Sequence, residues 1–237
     1  MGAWLFLTSI LLYGLHFALF RNPEHIFVFG LGELAFLPIE VLVVTLIIHG
    51  LLDAREKRGR LEKMNMVVGA FYSEMGSALL SSLASADRDI EDVRRTLADK
   101  QNWTGRQLEG LRGRLKKHPF DIDIVRIDLE KLRDFLDSKR DFLLRLLENP
   151  NLLEHEQFTD LLFSVFHLAE ELKARGDLAV LPQSDLAHLA GDIKRAYAAV
   201  TDEWIAYMRH LHDGYPYLFS LALRQNPFDQ KASAIVD

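Results

Sequence analysis

The chain has 237 residues, a formal net charge of −6 and no cysteine. The negative balance argues against a dedicated nucleic-acid binder, which needs a clustered positive surface, and we expect no nucleic-acid partner. The absence of cysteine excludes disulfides, thiolate metal sites and a cysteine nucleophile. Charge is unevenly spread, because residues 1–52 contain one basic residue, Arg21, and the rest of the chain holds the other 27. This split indicates a transmembrane hairpin, residues 1–52, followed by a water-exposed part.

The first predicted span covers residues 3–20, which carry no formal charge. Its 18 residues are about the minimum that crosses roughly 30 Å of hydrocarbon as a helix. No basic residue precedes it and no small-residue cleavage site follows, so we expect it to be retained rather than removed as a signal peptide. Residues 21–30 are expected to form the outward-facing connection.

The second predicted span covers residues 31–52 and is followed at once by five basic residues between positions 55 and 63. Positive charge beside a span favours the cytoplasmic side. With two spans, both termini are then expected in the cytoplasm. The basic segment has helical spacing, so the second span is predicted to continue as one long helix.

Ionisable residues inside the second span are the first candidate site. Glu40 follows Pro38 closely, and Glu33 and His49 lie in the same segment. A charge within a span costs at least about 2.5 kcal/mol and usually faces a partner or water. One interpretation is an ion or proton pathway. The alternative is that Glu40 is protonated, or pairs with His16 or His49 inside an oligomer.

Residues 53–86 are predicted to be a helical extension that mediates oligomerisation. Small residues such as Gly69 and Gly76 allow helices to approach closely. A buried packing surface is favoured over a third span, because serines and Glu74 make residues 64–86 polar.

Residues 87–237 are predicted to form a cytoplasmic helical bundle, which makes the chain all-α. Thr104 is a predicted helix cap. Four cations, Arg112, Arg114, Lys116 and Lys117, form the most basic run. They either complement a helix end or contact anionic lipid headgroups. Further helices are predicted over residues 128–148, 153–173, 184–212 and 217–224, since apolar residues recur at helical spacing between Pro, Gly and Asn breakers.

A second candidate site lies in the C-terminal half. Its residues are potential ligands of a transition metal, the one cofactor considered: His155, His167, Glu170, Glu171 and His188. Helical bundles build dimetal sites from repeated Glu-x-x-His. Here His167 precedes Glu170, whereas Asp185 precedes His188, so that repeat is missing. The alternative is that these are solvated helix residues. No phosphate loop or hydrolase motif is present, and no catalytic residue is predicted.

Residues 37–48, 148–160 and 215–222 together resemble a family of uncharacterised bacterial membrane proteins that have two N-terminal transmembrane helices and a helical cytoplasmic domain. The resemblance implies this architecture and a location in the bacterial inner membrane. It brings no activity, cofactor or catalytic residue.

Three functions are therefore compared. The first is a homo-oligomeric membrane protein with a scaffold or sensing domain, whose partners are lipid and further copies of itself. The second is an oligomeric channel lined by the second span. The third is a metal-binding helical-bundle enzyme.

Overall fold

The computed structural model describes residues 2–97, 103–150, 152, 155–229 and 231–235. Within them every regular element is helical, so the all-α prediction is confirmed. The chain divides into two compact units, Met1–Arg58 and Gly59–Asp237. The helices are α1 (Gly2–Phe20), α2 (Pro23–Phe71), α3 (Ser77–Ser85), α4 (Ile90–Leu97), α5 (Gly105–Leu115), α6 (Leu129–Ser138), α7 (Arg140–Leu147), α8 (Glu156–Ala174), α9 (Gln183–Gly214) and α10 (Pro216–Arg224).

The predicted connection over residues 21–30 is wrong, because α2 already begins at Pro23. Proline is well suited to the first turn of a helix, where its missing N–H is not needed. The side chain of Asn22 caps this turn by accepting from the backbone N–H of His25 at 3.3 Å. Arg21 has a φ of 46°, and a reversal of two residues therefore joins the helices.

The helix α2 continues through Pro38 and Gly59, which confirms the predicted long helix. By length and composition, one stretch of the described residues meets the requirements for crossing a membrane, the helical run Pro23–Ser85. The apolar helix Trp4–Phe20 is shorter. Large apolar side chains along both segments are exposed. Examples are Trp4, at 77%, and Leu52, at 58%.

The core of the second unit is built around α9, which packs against α3, α5, α8 and α10. Residues from 64 onward on α2 belong to this core, among them Met64, Val68 and Phe71. A π-helical turn, Tyr72–Gly76, joins α2 to α3. The hydroxyl of Tyr72 in this turn donates to the carbonyl of Val200 on α9 at 2.7 Å, so the turn is tied to the central helix.

Local capping explains several helix ends. Thr104 and Gln107 form a reciprocal capping box at the start of α5, as predicted for Thr104. The single helix predicted over residues 128–148 is instead two, α6 and α7, which meet at Lys139. The hydroxyl of Ser138 donates to the carbonyl of Phe135 at 2.6 Å. Such side-chain bonds to the backbone compete with helical ones, which accounts for the break.

Candidate metal centre

Two facing helices each contribute a histidine and a carboxylate four residues apart. His167 and Glu171 lie on α8, and His188 and Asp192 lie on α9. Residues four apart share one face of a helix, so each pair projects together. Because α8 packs against α9, the two pairs meet. We call these four residues the metal cluster.

The donor atoms of the metal cluster converge at distances suited to a bound ion. His188 Nε2 lies 3.3 Å from Asp192 Oδ2 and 3.5 Å from Glu171 Oε2. His167 Nε2 lies 3.7 Å from Asp192 Oδ2 and 3.9 Å from Glu171 Oε1. Four ligands held about 2.0–2.2 Å from a tetrahedral Zn²⁺ are roughly 3.3–3.6 Å apart. Glu171, His188 and Asp192 each offer a donor atom within 4.8 Å of the other two, so these three residues can hold an ion after small side-chain adjustments. His167 lies beside this group, 3.7 Å from Asp192 Oδ2.

Asp192 gives the metal cluster a fixed, buried anionic ligand. Its side chain is 3% exposed, and its Oδ2 has no hydrogen-bond donor among the described residues although two imidazoles are near. A buried polar atom without a partner costs about 1–3 kcal/mol. A cation at this position would remove that cost, since Oδ2 would become a ligand.

Arginines also bind the two carboxylates of the cluster, and Arg175 binds the same Glu171 oxygen that faces His188. Arg195 Nη1 donates to Asp192 Oδ1 at 3.0 Å. Arg175 Nη1 donates to Glu171 Oε2 at 2.7 Å, and the same guanidinium binds both oxygens of Asp185. The hydrogen bond from Arg175 lowers the pKa of Glu171. Such outer contacts orient the ligands of a metal site, and a lowered pKa favours the ionised form of Glu171 that metal binding requires.

The two imidazoles lie on the solvent-exposed side of the cluster. His167 and His188 are 47% and 55% exposed, so an ion can reach the buried carboxylate from solvent. Imidazole and carboxylate together suit Zn²⁺ and neighbouring first-row divalent ions. The arrangement can bind and hold such an ion at the surface of the bundle.

The other two residues predicted as metal ligands lie elsewhere. Glu170 points to Arg140, whose Nε donates to Glu170 Oε1 at 3.0 Å. His155 caps α8, because its Nδ1 accepts from the backbone N–H of Phe158 at 3.1 Å. Asp192 was absent from the predicted ligand set. The sequence pattern that identifies Asp192 as a ligand is a histidine followed four residues later by a carboxylate, which occurs in the same order on both helices.

A buried carboxyl, Glu203, lies beside His155. Oε1 of Glu203 is 3.7 Å from His155 Nε2, and its side chain is 3% exposed. Burial raises the pKa of Glu203 to about 7, with Arg112 opposing and Asp202 reinforcing the effect. Burial also lowers the pKa of His155. Glu203 is buried in the core, whereas His155 is partly exposed at 17%.

The predicted pathway residues separate into two faces of α2. Glu33 and Glu40 are seven residues apart, hence on one face, and both line a concavity of about 440 Å³ together with Gly32 and Phe36. His49 lies on the opposite face of the helix from Glu40, because nine residues correspond to two and a half turns. Its Nδ1 is hydrogen-bonded to the carbonyl of Thr45 at 2.8 Å.

His16 and His25 share a concavity with Glu33. His16 and His25 have parallel rings with centroids 6.0 Å apart. Both line a second concavity of the first unit, to which Glu33 also contributes. Of the two carboxyls, Glu33 therefore shares a concavity with His16.

The predicted basic run is also divided. Arg112 is bound by both oxygens of Asp202, each at 2.8 Å, and by Gln157 at 2.9 Å. Arg114 and Lys117 line an open concavity, whereas Lys116 does not. The hydrogen bond to Asp202 is the main cause of the raised pKa of Arg112.

Comparison with known proteins places the chain in a family. Residues 60–224 match the family described as "Uncharacterized protein MJ1433, C-terminal helical domain", and residues 1–52 match its N-terminal helical domain. The chain is 48% identical over 231 residues to uncharacterized protein MJ1433 of Methanocaldococcus jannaschii, covering 98% of this chain and 93% of that protein. No solved structure matches the chain. This relative is archaeal, so a bacterial source stays a prediction. The chain belongs to the MJ1433 family of helical proteins.

Proposed function

We propose that this chain is a membrane-anchored protein whose helical domain binds a divalent transition-metal ion and serves as a metal-responsive sensing or scaffold module. The observation that carries the proposal is the convergence of two carboxylate donors, Glu171 and Asp192, with the imidazole of His188. His167 lies beside them, and the buried Asp192 Oδ2 lacks a hydrogen-bond donor among the described residues. An ion bound there would bridge two helices of the core and so report its presence through their packing.

Metal binding is tested on the full chain, purified in a maltoside detergent with a tag that lacks histidine. After treatment with a chelator, Zn²⁺ is titrated by calorimetry, and Co²⁺ absorption reports the coordination geometry. We expect one ion per chain. His188→Ala and Asp192→Asn should each weaken binding more than about 100-fold, because even changes outside the ligand shell cost about 10–100-fold.

Glu170→Gln is the matched control. Glu170 is adjacent to Glu171 but pairs with Arg140, so its loss removes a carboxylate from the same helix without touching the metal cluster. Equal Zn²⁺ affinity in the wild type, Glu170→Gln and His188→Ala would refute the metal site.

Membrane anchoring is proposed for residues 1–52, as a hairpin of two spans with both termini in the cytoplasm. Its support is the row of exposed apolar side chains along α1 and the first part of α2. Soluble monomers rarely expose apolar patches above a few hundred Å². Lipid, and further copies of the chain, are the proposed covering partners. Release of the chain from membranes by alkaline carbonate would contradict anchoring. A monodisperse monomer in detergent would contradict oligomerisation.

A second function, a proton or cation pathway through an oligomer, is supported by one observation. Glu33 and Glu40 share a face of α2 and line one concavity. The test is ion flux into liposomes containing the full chain, compared with Glu40→Gln. Flux in the wild type that falls in the variant supports a pathway, and no flux in either form counts against it.

A further inference from the structure

Cations from two helices border one concavity of about 510 Å³ in the second unit. Arg95 comes from α4, and Arg114 and Lys117 come from the end of α5 and the residues after it. We call this concavity the basic pocket. It shares no residue with the metal cluster, and its size lies in the range of small-molecule sites.

We propose that the basic pocket binds a phosphate-bearing ligand, held by Arg95, Arg114 and Lys117. The shared chemistry is a phosphate group, which either an anionic lipid headgroup or a soluble phosphate compound supplies. Guanidinium groups match phosphate oxygens in a two-point geometry, and lysine adds a compact positive charge.

The charge balance of the basic pocket favours an anion. Its three cations are accompanied by one lining carboxylate, Asp92, which pairs with Arg95. The lining His118 is already bonded, through Nε2, to the buried Asp87 at 2.6 Å. Arg114 and Lys117 therefore leave this concave surface with an excess of positive charge. A concave surface with an excess of one sign focuses the field and concentrates counter-ions. An anion therefore gains more here than on a flat part of the surface.

Ordinary capping of a helix end does not account for this arrangement. Cations in the last turn of a helix complement its dipole, and Arg112 at the end of α5 is fully engaged by Asp202 and Gln157. Arg114 and Lys117 instead have no ion-pair partner among the described residues. The third cation, Arg95, lies on α4, so its presence in the pocket is not explained by the dipole of α5.

Apolar residues also line the basic pocket. Val93 and Leu115 are buried, and Pro119 is exposed. A ligand with a phosphate and an adjoining sugar or glycerol carbon skeleton would use both surfaces. A bare inorganic ion would use the cations alone.

Lysine footprinting tests the proposal on the full chain in maltoside micelles, which contain no phosphate. Acetylation of Lys117 and of Lys116 is followed by mass spectrometry while inorganic phosphate is added, and separately while phosphatidylglycerol is mixed into the micelles. At ten times the dissociation constant, bound ligand should slow acetylation of Lys117 about ten-fold. Lys116 is the internal control, since it lies next in sequence but does not line the pocket.

Two variants sharpen the result. Arg114→Gln should weaken the protecting ligand at least about ten-fold, because a charge-assisted hydrogen bond is lost. Arg106→Gln removes a cation of the same helix outside the pocket and should leave protection unchanged. Protection by phosphate identifies a soluble ligand, and protection by phosphatidylglycerol alone identifies a lipid headgroup. The proposal would be overturned if neither ligand slowed the acetylation of Lys117 relative to that of Lys116. It would also be overturned if the protection of Lys117 survived Arg114→Gln.

Discussion

Replacing the buried Glu203 with glutamine should make the stability of the chain less dependent on pH. The raised pKa means that the folded chain keeps the Glu203 proton between pH 4.5 and about 7, whereas the unfolded chain has released it. The free energy of unfolding therefore falls as the pH rises through this window. At about 1.4 kcal/mol for each pH unit, ionised Glu203 costs about 3 kcal/mol above pH 7.

Glutamine has nearly the same shape and no charge to bury, so Glu203→Gln avoids this cost. Below pH 4.5 the variant and the wild type should be about equally stable. Above pH 7 the variant should be more stable, and the gap should approach about 3 kcal/mol. His155 has a lowered pKa and its contribution runs in the opposite direction, since the unfolded chain then binds more protons. That contribution is present in both proteins and cancels in their difference.

The assay is urea unfolding of the full chain in maltoside, from pH 4 to pH 8. Tryptophan fluorescence reports unfolding of this core, because two of the three tryptophans, Trp103 and Trp204, are buried in it. Trp204 is the residue next to Glu203 and is 2% exposed. A stability difference that stays constant across the pH range would refute the reasoning, since it would show that Glu203 titrates at the same pH in both states.

Four further outcomes are expected. Zn²⁺ at 100 times its dissociation constant should add about 2.7 kcal/mol to the free energy of unfolding, an increase that Asp192→Asn should abolish in the same urea assay. Gly76→Ala should cost about 1–3 kcal/mol, because a Cβ would lie 2.5 Å from the buried ring of Phe71. Gly110→Ala, with open space around its Cβ, should instead stabilise α5 by about 0.5–1 kcal/mol in parallel urea titrations. Thr104→Ala should cost about 1 kcal/mol as its cap is lost, and an unchanged urea midpoint would contradict that role.

The sequence was sufficient wherever the information is local. Helical periodicity predicted the all-α class and the long helix α2, and Thr104 was recognised as a cap from its position before α5. These features depend on residues within a few positions of one another. The error at residues 21–30 is also local in origin, because Asn22 and Pro23 form a helix start, whereas the prediction places them in a connecting loop.

The tertiary structure decided which distant residues share a site. His167 and His188 were predicted as ligands, but their meeting with Asp192 depends on how far α8 is displaced along α9, which neither helix determines alone. The burial of Glu203 and the division of the basic run between Asp202 and the basic pocket depend on the same packing. The sequence determined which helices form and where the apolar segments lie, since hydrogen bonding and periodicity act over a few residues. Only the packing of those helices decided which charges converge, since that is set by side chains far apart in the chain.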